Sequence, residues 1–104
     1  MDTLTRLEAT IAHRRDADPD TSYVAQLNHR GVPVMARKLG EEAVEACVAA
    51  LSGSREELVG EAADVLFHLM VLLGAKDVPL AEVLAELDRR DGTSGIDEKN
   101  SRSA

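Results

Sequence analysis

At 104 residues the chain suits a single domain with a modest core. A hydrophobic fraction of 44% excludes a disordered segment. A net charge of −7 argues against binding nucleic acid through its phosphates, which needs clustered Lys and Arg, and suits a chain that holds a cation. Aromatics make up only 2%, and Ala, Leu and Val supply most of the apolar mass, a composition for close-packed helices rather than a sheet. A single cysteine, Cys47, rules out an intrachain disulfide and a Cys-based zinc site. Between Ala46 and Val48 it reads as a small buried hydrophobe. With no charged-then-apolar leader and no apolar run long enough for a bilayer, the expectation is a soluble cytoplasmic protein without membrane contact.

In chain order, residues 3–15 predict a helix, with Thr5 and Glu8 as a capping box and Leu4, Leu7 and Ile11 at helical spacing. Asp16 to Asp20, with Pro19, break it. Thr21 or Ser22 caps a short helix bearing Tyr23, Val24 and Leu27, which stops at Gly31. Pro33 opens a long helix to about Leu51. Ser52-Gly53 is a tight turn, and Ser54 with Glu57 starts a second long helix to Leu73. Gly74 to Asp77 connect to a last helix from Pro79 to about Arg90, with Leu80, Val83, Leu84 and Leu87 on one face. Residues 1–90 form the predicted domain, and 91–104, in which Ile96 is the one strongly apolar residue, a flexible tail.

The two long helices carry an unusual set of acids, Glu41-Glu42-x-x-Glu45 and Glu61-x-x-Asp64. An antiparallel helical hairpin pairs positions equidistant from its turn. Glu45 and Glu61 each lie eight residues from Gly53, and Glu42 and Asp64 each lie eleven. Folding the hairpin therefore sets four carboxylates at one level. Four such charges repel unless a cation joins them, and Mg²⁺ takes hard oxygen ligands together with phosphates and water. The plainer reading of the first group is a solvated face, since Arg37, Lys38 and the acids share one arc. Asp64 is less easily dismissed, because Ala62 to Leu73 is apolar almost throughout and such a helix is expected to be buried. Lys38 and His68, each fifteen residues from Gly53, fall together and suit phosphate binding. Otherwise Lys38 pairs Glu42 at i,i+4, and His68 is a core histidine held by a carbonyl or by Asp64. His13 and His29 read as surface residues. Residues 33–51 and 54–73 are apolar over more than one face, which predicts an all-α, four-helix-type bundle completed by homodimerisation.

The acid pattern resembles that of the all-α nucleotide pyrophosphohydrolases. Longer matches resemble one family, the phosphoribosyl-ATP pyrophosphohydrolases. They are Ser22-Tyr23-x-Ala25-x-Leu27, Lys38-x-Gly40-Glu41-Glu42-Ala43-x-Glu45, Arg55-Glu56-Glu57-Leu58-Val59-x-Glu61-Ala62-Ala63-Asp64-x-Leu66-x-His68-Leu69, and Gly92-Thr93-Ser94-Gly95-Ile96-x-Glu98-Lys99. The resemblance implies hydrolysis of phosphoribosyl-ATP to phosphoribosyl-AMP and pyrophosphate, the second step of histidine biosynthesis, by a Mg²⁺-dependent homodimer. It implies that Glu42, Glu45, Glu61 and Asp64 are metal ligands and that a carboxylate at that place, Glu41 among the candidates, orients the water. Arg30 stands where the family commonly has Lys and keeps the charge, whereas Pro33-Val34 replaces a frequent Asp-Lys. With Arg30, Lys38 and His68, the tail residue Lys99 or Arg102 is expected to close on the anionic substrate. Two alternatives are a house-cleaning nucleoside triphosphate pyrophosphohydrolase using the same acids and a non-catalytic helical dimerisation module.

Overall fold

The computed structural model describes residues 2–92 and 95–102, and its regular elements are all helices. They are α1 (Thr3–Arg14), α2 (Tyr23–Arg30), α3 (Val32–Ser52), α4 (Arg55–Ala75), α5 (Leu80–Arg90) and α6 (Gly95–Arg102). The all-α expectation holds, and the boundaries follow local chemistry. Ser22 caps α2 by accepting from the Ala25 amide, and Ser54 caps α4 by accepting from that of Glu57. Gly31, at φ +97°, ends α2 and admits α3, whose first turn carries Pro33. At Gly53 a Cβ would lie 3.0 Å from the Ala49 backbone, so the hairpin turn requires glycine.

One local expectation needs correction. Helix α1 begins at Thr3, so Asp2 rather than Thr5 is its cap, accepting from the Thr5 amide at 2.8 Å. Glu8, freed from that role, accepts from the Leu80 amide at 2.7 Å. It thereby serves the first turn of α5, where Pro79 at the cap position has no side-chain acceptor. The segment read as a tail carries the two-turn helix α6. Its last turn holds Lys99 and Arg102, and Asp97 lies near its start, an order that complements the helix dipole.

Helices α3 and α4 form the antiparallel hairpin and make the most extensive contact in the chain, with α1 against α4 and α2 against α3. The core gathers Ile11, Val24, Leu27, Met35, Met70, Val71 and Leu80, with Leu4, Leu7, Phe67 and Leu72 packed around it. It sits at the α2 end of the hairpin. Toward the Gly53 turn the long helices are largely uncovered, and Val44, Val48, Leu51, Val59 and Leu66 are exposed. Cys47 is exposed as well, contrary to expectation. The reason is register: Val44, Cys47, Val48 and Leu51 form an i, i+3, i+4, i+7 stripe turned away from the chain's own core. On α4, Val59, Ala62, Ala63 and Leu66 repeat the pattern, and all four are exposed. By length and composition α4 is apolar enough to cross a bilayer, so the expectation that no run qualifies is also corrected. Its apolar surplus lies in this stripe.

Candidate metal centre

The hairpin register brings the predicted acids together. Glu42, Glu45 and Glu61 each present a carboxylate oxygen, and the three oxygens lie within 4.8 Å of one another. Glu42 and Glu45 are three apart on α3, so they share a face, and Glu61 meets them across the hairpin. Glu42 and Glu61 are half-buried and Glu45 is exposed. Asp64 acts on both Glu42 and Glu61 through its charge and so borders the group. The burial argued for it does not hold, because Asp64 is exposed along with Ala62 and Ala63. Its apolar neighbours belong to the uncovered stripe, not to the core.

Crowding marks the acids electrostatically. Desolvation pushes the Glu42 carboxyl above the usual glutamate range, the hydrogen bond and charge of Glu45 and the charge of Asp64 add to this, and His68 opposes it. Glu61 is raised by desolvation first, then by Glu45, Glu42 and Asp64. Glu42 Oε2 and Glu61 Oε2 are both buried with no hydrogen-bond partner. A fold that desolvates two carboxylate oxygens and leaves them unpaired has made room for a positive charge. The donor set is all hard oxygen, which fits Mg²⁺ rather than a thiolate- or imidazole-seeking metal.

The other expected residues hold contacts or positions of their own. Glu41 turns to Arg37 at 3.6 Å and Lys38 at 3.7 Å. Lys38 thus pairs at i+3 with Glu41, not at i+4 with Glu42. His68, only 5% exposed, has both ring nitrogens engaged. Nδ1 meets the Asp64 carbonyl oxygen at 2.8 Å and Nε2 the Tyr23 hydroxyl at 3.1 Å. This is the core-histidine arrangement, with the neighbouring carbonyl as its anchor. Arg30 is exposed at the end of α2, and Lys99 is exposed on α6. His13 and His29 are exposed, as read.

Sequence reasoning did not foresee that Tyr23 and Phe67 gather around His68. Their rings stack with centroids 6.0 Å apart, and His68 stands edge-on to both. The available signal was scarcity: the chain has one Tyr, one Phe and no Trp.

Residues 4–91 match the family described as phosphoribosyl-ATP pyrophosphohydrolase. The chain belongs to that family. It is 68% identical over 102 residues to a phosphoribosyl-ATP pyrophosphatase of Erythrobacter litoralis, covering 98% of each chain. It is 69% identical over 100 residues to one of Novosphingobium aromaticivorans, covering 96% of this chain and 94% of the relative. A relative from Dinoroseobacter shibae with the same name is 61% identical over 102 residues, 98% of this chain and all of its own length. The family match spans α1 to α5 and so contains the whole acid cluster.

Proposed function

We propose that Glu42, Glu45, Glu61 and Asp64 hold Mg²⁺ and that the cluster is the catalytic centre of a phosphoribosyl-ATP diphosphatase. The reaction is hydrolysis of phosphoribosyl-ATP to phosphoribosyl-AMP and pyrophosphate, in histidine biosynthesis. The observation that carries the metal assignment is the pair of buried, unpartnered oxygens on Glu42 and Glu61 within a three-carboxylate group. Bound there, Mg²⁺ supplies charge neutralisation at the phosphoryl oxygens and acidifies water.

The chain's own residues set the rest. Glu42 and Glu61, fixed across the hairpin, define where the charge sits. Glu45, exposed and central to the group, is placed to accept a proton from the attacking water. Glu41 keeps Arg37 and Lys38 ordered beside the cluster, and Lys38 offers its ammonium to the leaving pyrophosphate. Arg30 and Lys99, both exposed, are free to approach the outer phosphates from α2 and α6. The stripes on α3 and α4 are the surface of a homodimer, and a biosynthetic hydrolase of this kind works in the cytoplasm. Product analysis with phosphoribosyl-ATP tests the reading. Pyrophosphate and phosphoribosyl-AMP should form in equal amounts, only with Mg²⁺. Release of inorganic phosphate, or equal rates in chelator, would refute it.

A further inference from the structure

We propose that Tyr23 is the platform on which the purine base of the substrate stacks, an assignment that rests on the phosphoribosyl-ATP reading above. A purine offers a wide π-face, and an enzyme that selects it gains from an aromatic ring set beside the phosphate site. This chain has two aromatic side chains of the Phe, Tyr and Trp type, and both pack against His68, the imidazole whose charge acts on Glu42. Phe67 stacks on Tyr23 with 18° between the ring planes. His68 fixes the tyrosine hydroxyl and is itself anchored to the Asp64 carbonyl. Two hydrogen bonds thus tie Tyr23 to the α4 backbone at Asp64, the residue that borders the acid cluster. Despite this support Tyr23 keeps 45% of its surface exposed. Phe67 stacks on the ring with a large offset, the centroids being 6.0 Å apart, and nearly half of the tyrosine's surface stays open. A ring held at its hydroxyl, flanked by an offset second ring and left partly open is preorganised for a further stacking partner. With the metal group gripping phosphates and Tyr23 the base, the two ends of a nucleotide are read by adjacent parts of one site.

The chain's single tyrosine and lack of tryptophan give a direct assay, because intrinsic emission reports on this ring alone. Titration of the Mg²⁺-loaded protein with phosphoribosyl-AMP should quench it saturably. Inorganic pyrophosphate, which carries no base, should leave it unchanged. Tyr23→Leu should raise KM for phosphoribosyl-ATP by about tenfold or more, in the range one base–aromatic stack supplies, with kcat within about threefold. Tyr23→Phe keeps the ring and loses the His68 bond, and should keep KM within about threefold of the parent. Absent quenching, equal quenching by pyrophosphate, a parental KM in Tyr23→Leu, or equal damage in the Phe and Leu variants would overturn the assignment. The titration uses the parent protein and stands even if Tyr23→Leu fails to fold. A parent quenched by phosphoribosyl-AMP that releases no pyrophosphate from phosphoribosyl-ATP overturns the hydrolase reading and leaves the platform in place.

Discussion

The assembly can be tested by a substitution that costs the single chain almost nothing. Leu51 is 87% exposed, and the structure gives it no place in the core. Leu51→Glu therefore removes little intrachain packing, so any damage must come from a surface that this stripe normally covers. Area sets an upper bound on that surface, because the exposed helix α6 adds to the total as well. A monomer of 11.2 kDa should expose roughly 5,700 Å², and this chain exposes 7317 Å², an excess of about 1,600 Å². Its radius of gyration, 15.7 Å, likewise exceeds the ~13 Å of a compact domain of this length. Burying the excess on two copies removes about 3,200 Å², within the range of obligate homodimers. Folding coupled to such association makes Tm depend on concentration. Each tenfold dilution shifts the equilibrium by ~1.4 kcal/mol, or about 3–5 °C for a unit of this doubled size. Sedimentation should give twice 11.2 kDa for the parent and a mixture or monomer for Leu51→Glu, which also melts lower. A helical parent of monomeric mass with a concentration-independent Tm would refute the argument.

The acids predict three further outcomes. Asp64→Asn should lose activity by ~100-fold or more and lose most of the rise in Tm that Mg²⁺ gives the parent, while its metal-free form melts no lower than the parent's. A lower metal-free Tm with undiminished stabilisation by Mg²⁺ would make Asp64 structural instead. The raised Glu42 and Glu61 carboxyls give the metal-free protein a pH dependence whose sign is fixed: their contribution is fully present below 4.5, the ordinary glutamate value, and is lost as pH rises through the folded values. Metal-free melts across that window should therefore fall with rising pH, and Glu61→Gln should flatten the slope. Away from the site, Glu8→Ala leaves the Leu80 amide without its acceptor and should cost about 1–2 kcal/mol, read as a lower Tm with kcat per folded molecule unchanged.

Periodicity and spacing carried most of the fold because the signals are local. Ser22, Gly31, Pro33, Gly53 and Ser54 each act on their own few residues, and each does in the structure what its chemistry predicts. The acid cluster was legible for a related reason: a hairpin with a short turn leaves one register, so distances from Gly53 translate into contacts. What failed depended on distant partners. Glu8 caps a helix 72 residues away, and nothing near it in sequence announces that. Asp64 and Cys47 were placed in a core on the strength of apolar neighbours, but hydrophobicity says that a surface wants cover, not which molecule provides it.

That distinction explains why site and stripe share one hairpin. Val44 and Val48 flank Glu45 on α3, and with Ala49, Glu57 and Glu61 they line a cleft of about 280 Å³ beside the acids. One wall of this cleft is charged and the other apolar, and the apolar wall belongs to the exposed stripe. In the proposed dimer the second copy closes over that wall. It excludes water on that side of the carboxylates and strengthens their hold on a cation through the lower local dielectric. Dimerisation and metal affinity are then coupled, since each favours the state that the other requires. Leu51→Glu, six residues from the nearest acid ligand, should accordingly weaken Mg²⁺ binding as well as association, and raising the protein concentration should restore both together. Metal affinity that stays parental while the variant sediments as a monomer would separate the two and show that one chain holds its metal unaided.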